Sequence, residues 1–260
     1  MSLTLIRRPL ILDLDFTLLH LEYVPDALEV PGRTRSAWLA PQTIECLSKL
    51  QTQLDLVLAT ARSWDGTRWV SEGLAERGVQ ISGVVLEDGA LLGTPGVLRN
   101  WTSSFDVETL RVQVEEKKTS DWPWFEGQFD FKACLVARCE LATEASQLSL
   151  LFEKNFTQEQ QRRIYRDGRK VYILPLRADK WSALRELLGA RAEDAIGVGD
   201  GANDLAWLPR VEFPATFACA NGSLVEAVQK HGGYISPLDG HQGIVDILSY
   251  ISEKVVGQTR

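Results

Sequence analysis

Nine residues decide the fold: Pro9-Leu10-Ile11-Leu12-Asp13-Leu14-Asp15-Phe16-Thr17. The run Pro9 to Leu12 is apolar without alternation, the pattern of a short strand buried on both faces in a parallel sheet. It ends in two carboxylates separated by one residue, so Asp13 and Asp15 project to the same side as the chain leaves the sheet. In open α/β sheets ligands bind at that edge, outside the carboxyl ends of the strands. Two carboxylates at the end of a buried strand are costly without a cation or a partner. A divalent cation such as Mg²⁺, which prefers oxygen ligands in octahedral geometry, offsets their repulsion. Alone, the pair also fits two solvated turn residues or helix caps.

Outward from this strand the pattern alternates. His20 to Pro41 contains Pro25, Pro31, Gly32 and Pro41 and reads as a loop. Ile44, Leu47 and Leu50 then have helical spacing, Leu54 to Ala59 is a second strand, Ser63 to Arg77 a helix ended by Gly78, and Val84 to Leu86 a third strand. Near the C-terminus, a helix over Asp179 to Leu188 precedes a strand at Ala195 to Val198, a short helix at Asn203 to Leu208 and a strand at Thr216 to Ala220. Helix, strand and helix follow at Ser223 to Lys230, Tyr234 to Ser236 and Gln242 to Ile251. Alternating strands and helices predict an α/β, doubly wound, Rossmann-like parallel sheet.

Between these halves the pattern changes to helix (Asp106 to Lys118), extended run (Phe129 to Cys139), helix (Ala142 to Asn155), and a hairpin over 164–173 turning at Asp167-Gly168. Residues 93–175 thus read as an inserted α+β module, and residues 1–92 with 176–260 as the core. The 260 residues suffice for two compact units. The balance of 28 basic and 35 acidic side chains gives a net charge of −7, which argues against a nucleic-acid-binding surface. Cys46, Cys134, Cys139 and Cys219 form no CxxC pair, so a reducing, cytoplasmic setting is expected. No apolar stretch approaches the roughly 18–20 residues of a membrane span, and no signal peptide is read.

Three further segments carry chemistry. Gly197-Val-Gly199-Asp200-Gly201-Ala-Asn203-Asp204 follows an apolar strand and opens a helix. Its glycines allow close backbone approach, Asp200 can join a metal site built on the first strand, and Asn203 can hydrogen-bond an anion. By itself this is equally a turn with an acidic first helical residue. In Leu58-Ala-Thr60-Ala-Arg62, Thr60 offers a hydroxyl and a backbone N–H to a phosphoryl oxygen, or caps the following helix. Lys180 opens a helix, where the dipole disfavours a cation unless an anion lies beside it; the plainer reading is a surface lysine.

In this order, with an insert between the second and third, the four pieces resemble the haloacid dehalogenase (HAD) superfamily, nearest its Cof-like, sucrose-phosphatase-like branch of sugar-phosphate phosphatases. Glu87-Asp-Gly-Ala90 stands where those relatives often have Asn-Gly-Ala before the inserted cap. The resemblance implies a Mg²⁺-dependent phosphatase hydrolysing a small phosphomonoester, a sugar phosphate, through an aspartyl phosphate on Asp13. Asp15 would be the acid and base, with its carbonyl helping to hold Mg²⁺. Thr60 and Lys180 would bind the transferring phosphoryl group. Asp13, Asp15 and Asp200 would make the metal site, with Asp204 behind it. Asn203 and Arg62 would contact phosphate or a second anionic group of the substrate.

Two positions depart from that pattern: Phe16 and Ala61 stand where most relatives have glycine. Phe16 narrows the loop beside Asp13 or packs under the cap. Trp122, Trp124 and Phe125 fill the core of the inserted module rather than stacking on a sugar. Arg33 and Arg35 read as solvated, and His20, His231 and His241 carry no ligand spacing. The same aspartyl phosphate would also serve a phosphotransferase or mutase, and a sugar-phosphate-binding regulator without turnover is the alternative from another class.

Overall fold

The computed structural model describes residues 7–32, 35–102, 106–156 and 162–256. The chain enters on strand β1 (Arg8–Leu12), whose last four residues are buried. The segment read as a loop holds a short antiparallel pair, β2 (Leu28–Val30) and β3 (Ala37–Leu39). Three residues apiece are too few for alternation to show in sequence. Helix α1 (Pro41–Leu50) starts with proline at its first turn and buries Ile44, Leu47 and Leu50. Strand β4 (Leu54–Ala59), helix α2 (Trp64–Glu76) and strand β5 (Gly83–Leu86) follow.

Strands β6 (Leu91–Thr94) and β7 (Val97–Asn100) then turn back antiparallel on β5. The large sheet therefore runs past residue 92, where the core was expected to end, because Leu91 and Leu92 are buried against it. Helix α3 (Val107–Lys117), strands β8 (Glu126–Gly127) and β9 (Leu135–Arg138), helix α4 (Ala142–Phe156) and the hairpin β10 (Arg162–Asp167) and β11 (Lys170–Pro175) come next. Only the end of the predicted run 129–139 is a strand, since the N–H groups of Lys132 and Ala133 donate to Glu87 rather than to a ladder. The hairpin turns at Gly168-Arg169, one residue later than read, with Asp167 paired to Lys170 and Gly168 at φ +54°. Helix α5 (Lys180–Leu188), strand β12 (Ile196–Val198), strand β13 (Phe213–Phe217), helix α6 (Gly222–Lys230), strand β14 (Tyr234–Ser236) and helix α7 (Gly240–Tyr250) complete the chain.

Among the described residues the large sheet has the order β14-β13-β12-β1-β4-β5-β6-β7, with all pairs from β14 to β5 parallel. This is the doubly wound architecture expected. Strand order reverses at β1, which opens a crevice at the carboxyl ends of its neighbours. The small sheet, β10-β11-β9-β8, covers that edge. One face packs Ile164, Val171 and Ile173 with Leu110, Leu148 and Phe152 of α3 and α4. Its other face contributes Val136, Tyr172 and Leu174 to the core of the large sheet.

Candidate active site

The register of β1 brings the distant segments together. Leu12 pairs with Leu58 on one side and Val198 on the other, so Asp13, Thr60 and Asp200 all emerge at the same sheet edge. Asp13 is anchored by its N–H donating to the Val198 carbonyl at 3.0 Å. Lys180, at the first turn of α5 and 1% exposed, donates from Nζ to Asp13 at 2.8 Å and to Asp204 at 2.7 Å. Two buried anions thus outweigh the unfavourable helix dipole, and the surface-lysine reading falls. Burial pulls the Lys180 pKa down, but Asp13 and Asp204 more than reverse that and hold it above the usual lysine range. Burial, with the charge of Asp204, raises Asp13 well above the usual carboxylate range against the pull of Lys180.

Asp204 accepts four hydrogen bonds. One oxygen takes Lys180 Nζ and the Trp207 indole N–H, both at 2.7 Å; the other takes the N–H groups of Asp200 at 3.1 Å and Gly201 at 3.0 Å. Its lone pairs are spent on holding the loop and the lysine. Gly199 permits this: a Cβ there would lie 2.7 Å from the Asp204 carboxylate. Asp200 has the Thr17 hydroxyl as donor at 2.8 Å, and burial pushes its pKa up to about 7 despite that bond. Carboxylate oxygens of Asp13, Asp200 and Asp204 all lie within 4.8 Å of one another. An all-oxygen, anionic cluster in which burial raises Asp13 and Asp200 fits a hard divalent cation that Asp13 and Asp200 could hold, the oxygens of Asp204 being already spent on hydrogen bonds.

Asp15 faces Arg62 rather than the cluster. The guanidinium donates to it in a bidentate pair, Nη2 at 2.5 Å and Nε at 2.9 Å. Burial would raise Asp15, but this pairing overrides it and holds the carboxyl below its ordinary range. Arg62, expected on the phosphate, is therefore engaged with Asp15. Thr60 does not cap the next helix; Ser63 does, accepting from the Gly66 N–H. The Thr60 N–H, expected on a phosphoryl oxygen, donates to the Val85 carbonyl, while its hydroxyl accepts from the Arg62 N–H at 3.2 Å. Phe16 takes the left-handed conformation, φ +58°, which costs an L side chain about 1–2 kcal/mol. It is not packed under the small sheet but 55% exposed.

Asp13, Asp15, Phe16, Thr60, Arg62 and Asp200 line one cavity of about 500 Å³ between the two sheets, together with Ala61, Asn203 and, from the hairpin, Arg163, Tyr165, Lys170 and Tyr172; Lys180 and Asp204 are buried behind it. No family model matches the chain, and no curated protein matches its sequence. Solved structures do. A haloacid dehalogenase-like hydrolase from Bacteroides thetaiotaomicron superposes with a TM-score of 0.64 at 15% identity, covering 94% of this chain and 99% of its own. A Plasmodium vivax protein described as a HAD/COF-like hydrolase gives 0.65 at 14% identity, covering 96% and 97%. The C-terminal domain of Candida albicans trehalose-6-phosphate phosphatase gives 0.66 at 13% identity, covering 96% and 93%. The chain has the haloacid dehalogenase fold.

Within that HAD fold, sequence reading missed the contribution of the second sheet. Arg163 donates from Nη2 to Asp88 at 2.8 Å and to the Ala178 carbonyl at 2.7 Å. Tyr165 and Tyr172 stack across the hairpin at 4.7 Å. The signal was there as alternation: Arg163, Tyr165 and Asp167 share one face of β10, with Ile164 on the other. Glu87, buried, accepts from the Lys132 N–H at 2.7 Å and the Ala133 N–H at 2.8 Å. Burial pushes its pKa up to about 7 against those two donors. Trp122 and Phe125 pack on Phe152 as expected, whereas Trp124 is exposed. Arg35 is exposed, and Arg33 lies outside the described residues. His20 and His241 pack edge to face at 4.8 Å, away from the cavity lining. No helix among the described residues is long and apolar enough to cross a membrane.

Proposed function

We propose that the chain is a Mg²⁺-dependent phosphatase that hydrolyses a small phosphomonoester, a sugar phosphate, through an aspartyl phosphate. The observation that carries this reading is the convergence of Asp13, Asp15, Thr60 and Asp200 on one cavity at the carboxyl edge of the sheet, with Lys180 buried behind it and bonded to Asp13. The fold supports it, and one structural neighbour is a phosphatase of a sugar phosphate. The four free cysteines support a cytoplasmic setting. The small sheet, with α3 and α4, serves as the inserted cap that selects the substrate.

An Asp13 carboxylate oxygen attacks phosphorus, the bond from phosphorus to the ester oxygen breaks, and Asp15 gives its proton to the leaving oxygen. Lys180 and the Thr60 hydroxyl offset charge on the transferring group. Water, deprotonated by Asp15, then attacks phosphorus and frees Asp13. The Arg62 pair keeps Asp15 ionised, the state that activates water; service as an acid requires Asp15 to leave Arg62 and take up a proton when the substrate phosphate draws the guanidinium away. Asp13 and Asp200 would hold Mg²⁺, whose positive charge would offset anion–anion repulsion and polarise the phosphate.

The test is phosphate release from a panel of sugar phosphates and other small monoesters, with Mg²⁺ and with chelator, by wild type and Asp13→Asn. Release that needs the metal and vanishes in the variant is expected. Near-wild-type turnover by Asp13→Asn overturns the nucleophile, and no metal-dependent release by wild type overturns the reading.

A further inference from the structure

Phe16 is explained neither by packing nor by backbone. The loop around it is buried: Leu14, Thr17, Leu18 and Leu19 are at most 1% exposed, and the N–H groups of Leu18 and Leu19 both donate to the Leu14 carbonyl. Phe16 donates its own N–H to Leu19 at 2.8 Å and takes the positive φ that only glycine adopts without strain. The phenyl ring is then left 55% exposed on the cavity wall. A strained, solvent-facing aromatic at a site where glycine would cost nothing points to function.

Its place says what it touches. Phe16 follows Asp15, which in the phosphatase reading meets the leaving oxygen, so the ring borders the leaving group rather than the phosphate. The same cavity is lined by Tyr165, half-buried and stacked nearly parallel, at 6°, on the buried Tyr172. Aromatic faces favour the flat C–H face of a ring over a flexible chain, and Lys170 and Asp167 beside them supply polar partners for hydroxyl groups. We infer that Phe16 determines specificity, selecting phosphate esters whose leaving group is a ring with an apolar face, a cyclic sugar, over open-chain polyol esters of the same charge. This inference rests on the phosphatase reading.

The experiment compares glucose 6-phosphate with sorbitol 6-phosphate, a ring and an open chain of equal charge, on the full chain with Mg²⁺. Phe16→Ala lowers the ring-to-chain ratio of kcat/KM about fivefold, chiefly through KM, and Phe16→Tyr restores it. An unchanged ratio overturns the inference. Phe16→Gly melts at or above the wild-type temperature; a large loss of stability would make Phe16 a packing residue and also overturn it. Calorimetric binding of both esters to Asp13→Asn, with and without Phe16→Ala, separates the two claims. Ring-selective binding lost with Phe16 upholds the inference even if wild type releases no phosphate, and binding without ring selectivity refutes it even if turnover is normal.

Discussion

Replacing Asp204 by asparagine tests whether that carboxylate is the brace of the site. Its two oxygens accept from Lys180, Trp207, Asp200 and Gly201, two donors apiece. Asparagine has one acceptor oxygen, so in either orientation its NH₂ group faces two N–H donors. Two charge-assisted bonds are lost, at about 1.5–3 kcal/mol each. Removing one partner of a buried ion pair gives a similar figure by a separate route, about 3–5 kcal/mol. Lys180 retains Asp13, which keeps the cost at that level. For a chain of this size each kcal/mol moves the melting temperature about 2–4 °C, so Asp204→Asn melts roughly 10 °C lower. Urea unfolding followed by circular dichroism gives the free energy directly. Asp13→Asn is the comparison: its amide oxygen still accepts the one bond from Lys180, and the change relieves a carboxyl that burial already raises, so it costs less. A loss below 1 kcal/mol for Asp204→Asn, or a larger loss for Asp13→Asn, refutes the reasoning.

Two other perturbations follow from the same geometry. Arg62→Met removes the pairing that holds Asp15 down and leaves burial to raise it, so the acidic limb of the pH–rate profile moves to higher pH; an unmoved limb breaks the link between Arg62 and Asp15. Glu87 titrates at about 7 when folded against 4.5 in a free chain, so its contribution to stability is whole below pH 4.5 and lost as pH rises through 7. Between pH 4.5 and 8 wild type therefore loses roughly 3 kcal/mol relative to Glu87→Gln in denaturant titrations, and parallel curves for the two proteins contradict the raised value.

Much of this was legible in the sequence for definite reasons. β1, β4 and α5 announce themselves because apolar runs and helical spacing are local, and Asp13, Thr60, Lys180 and Asp200 because each follows or opens such an element. The partners were not legible. Arg62 sits two residues beyond Thr60, but nothing local says that it closes on Asp15 across 47 positions. Asp88 and Arg163 meet only because the small sheet lies over the edge of the large one, a long-range register that alternation within β10 does not fix. Only 135–138 of the extended run expected at 129–139 is strand, for the same reason: Glu87 claims two backbone donors that local pattern assigns to a ladder.

The Glu87 joint also distributes mutational tolerance unevenly. On one side it is a single side chain; on the other it is main chain, the N–H groups of residues 132 and 133, which every amino acid but proline supplies. Lys132, whose side chain is exposed, is then free to drift without loosening the seat, while exchange of Glu87 for a side chain without an acceptor forfeits both bonds at once. Such a coupling is blind to the spelling of the part it carries. The cavity-facing hairpin can diversify through evolution on an unchanged mount, with one position on the mount bearing the constraint.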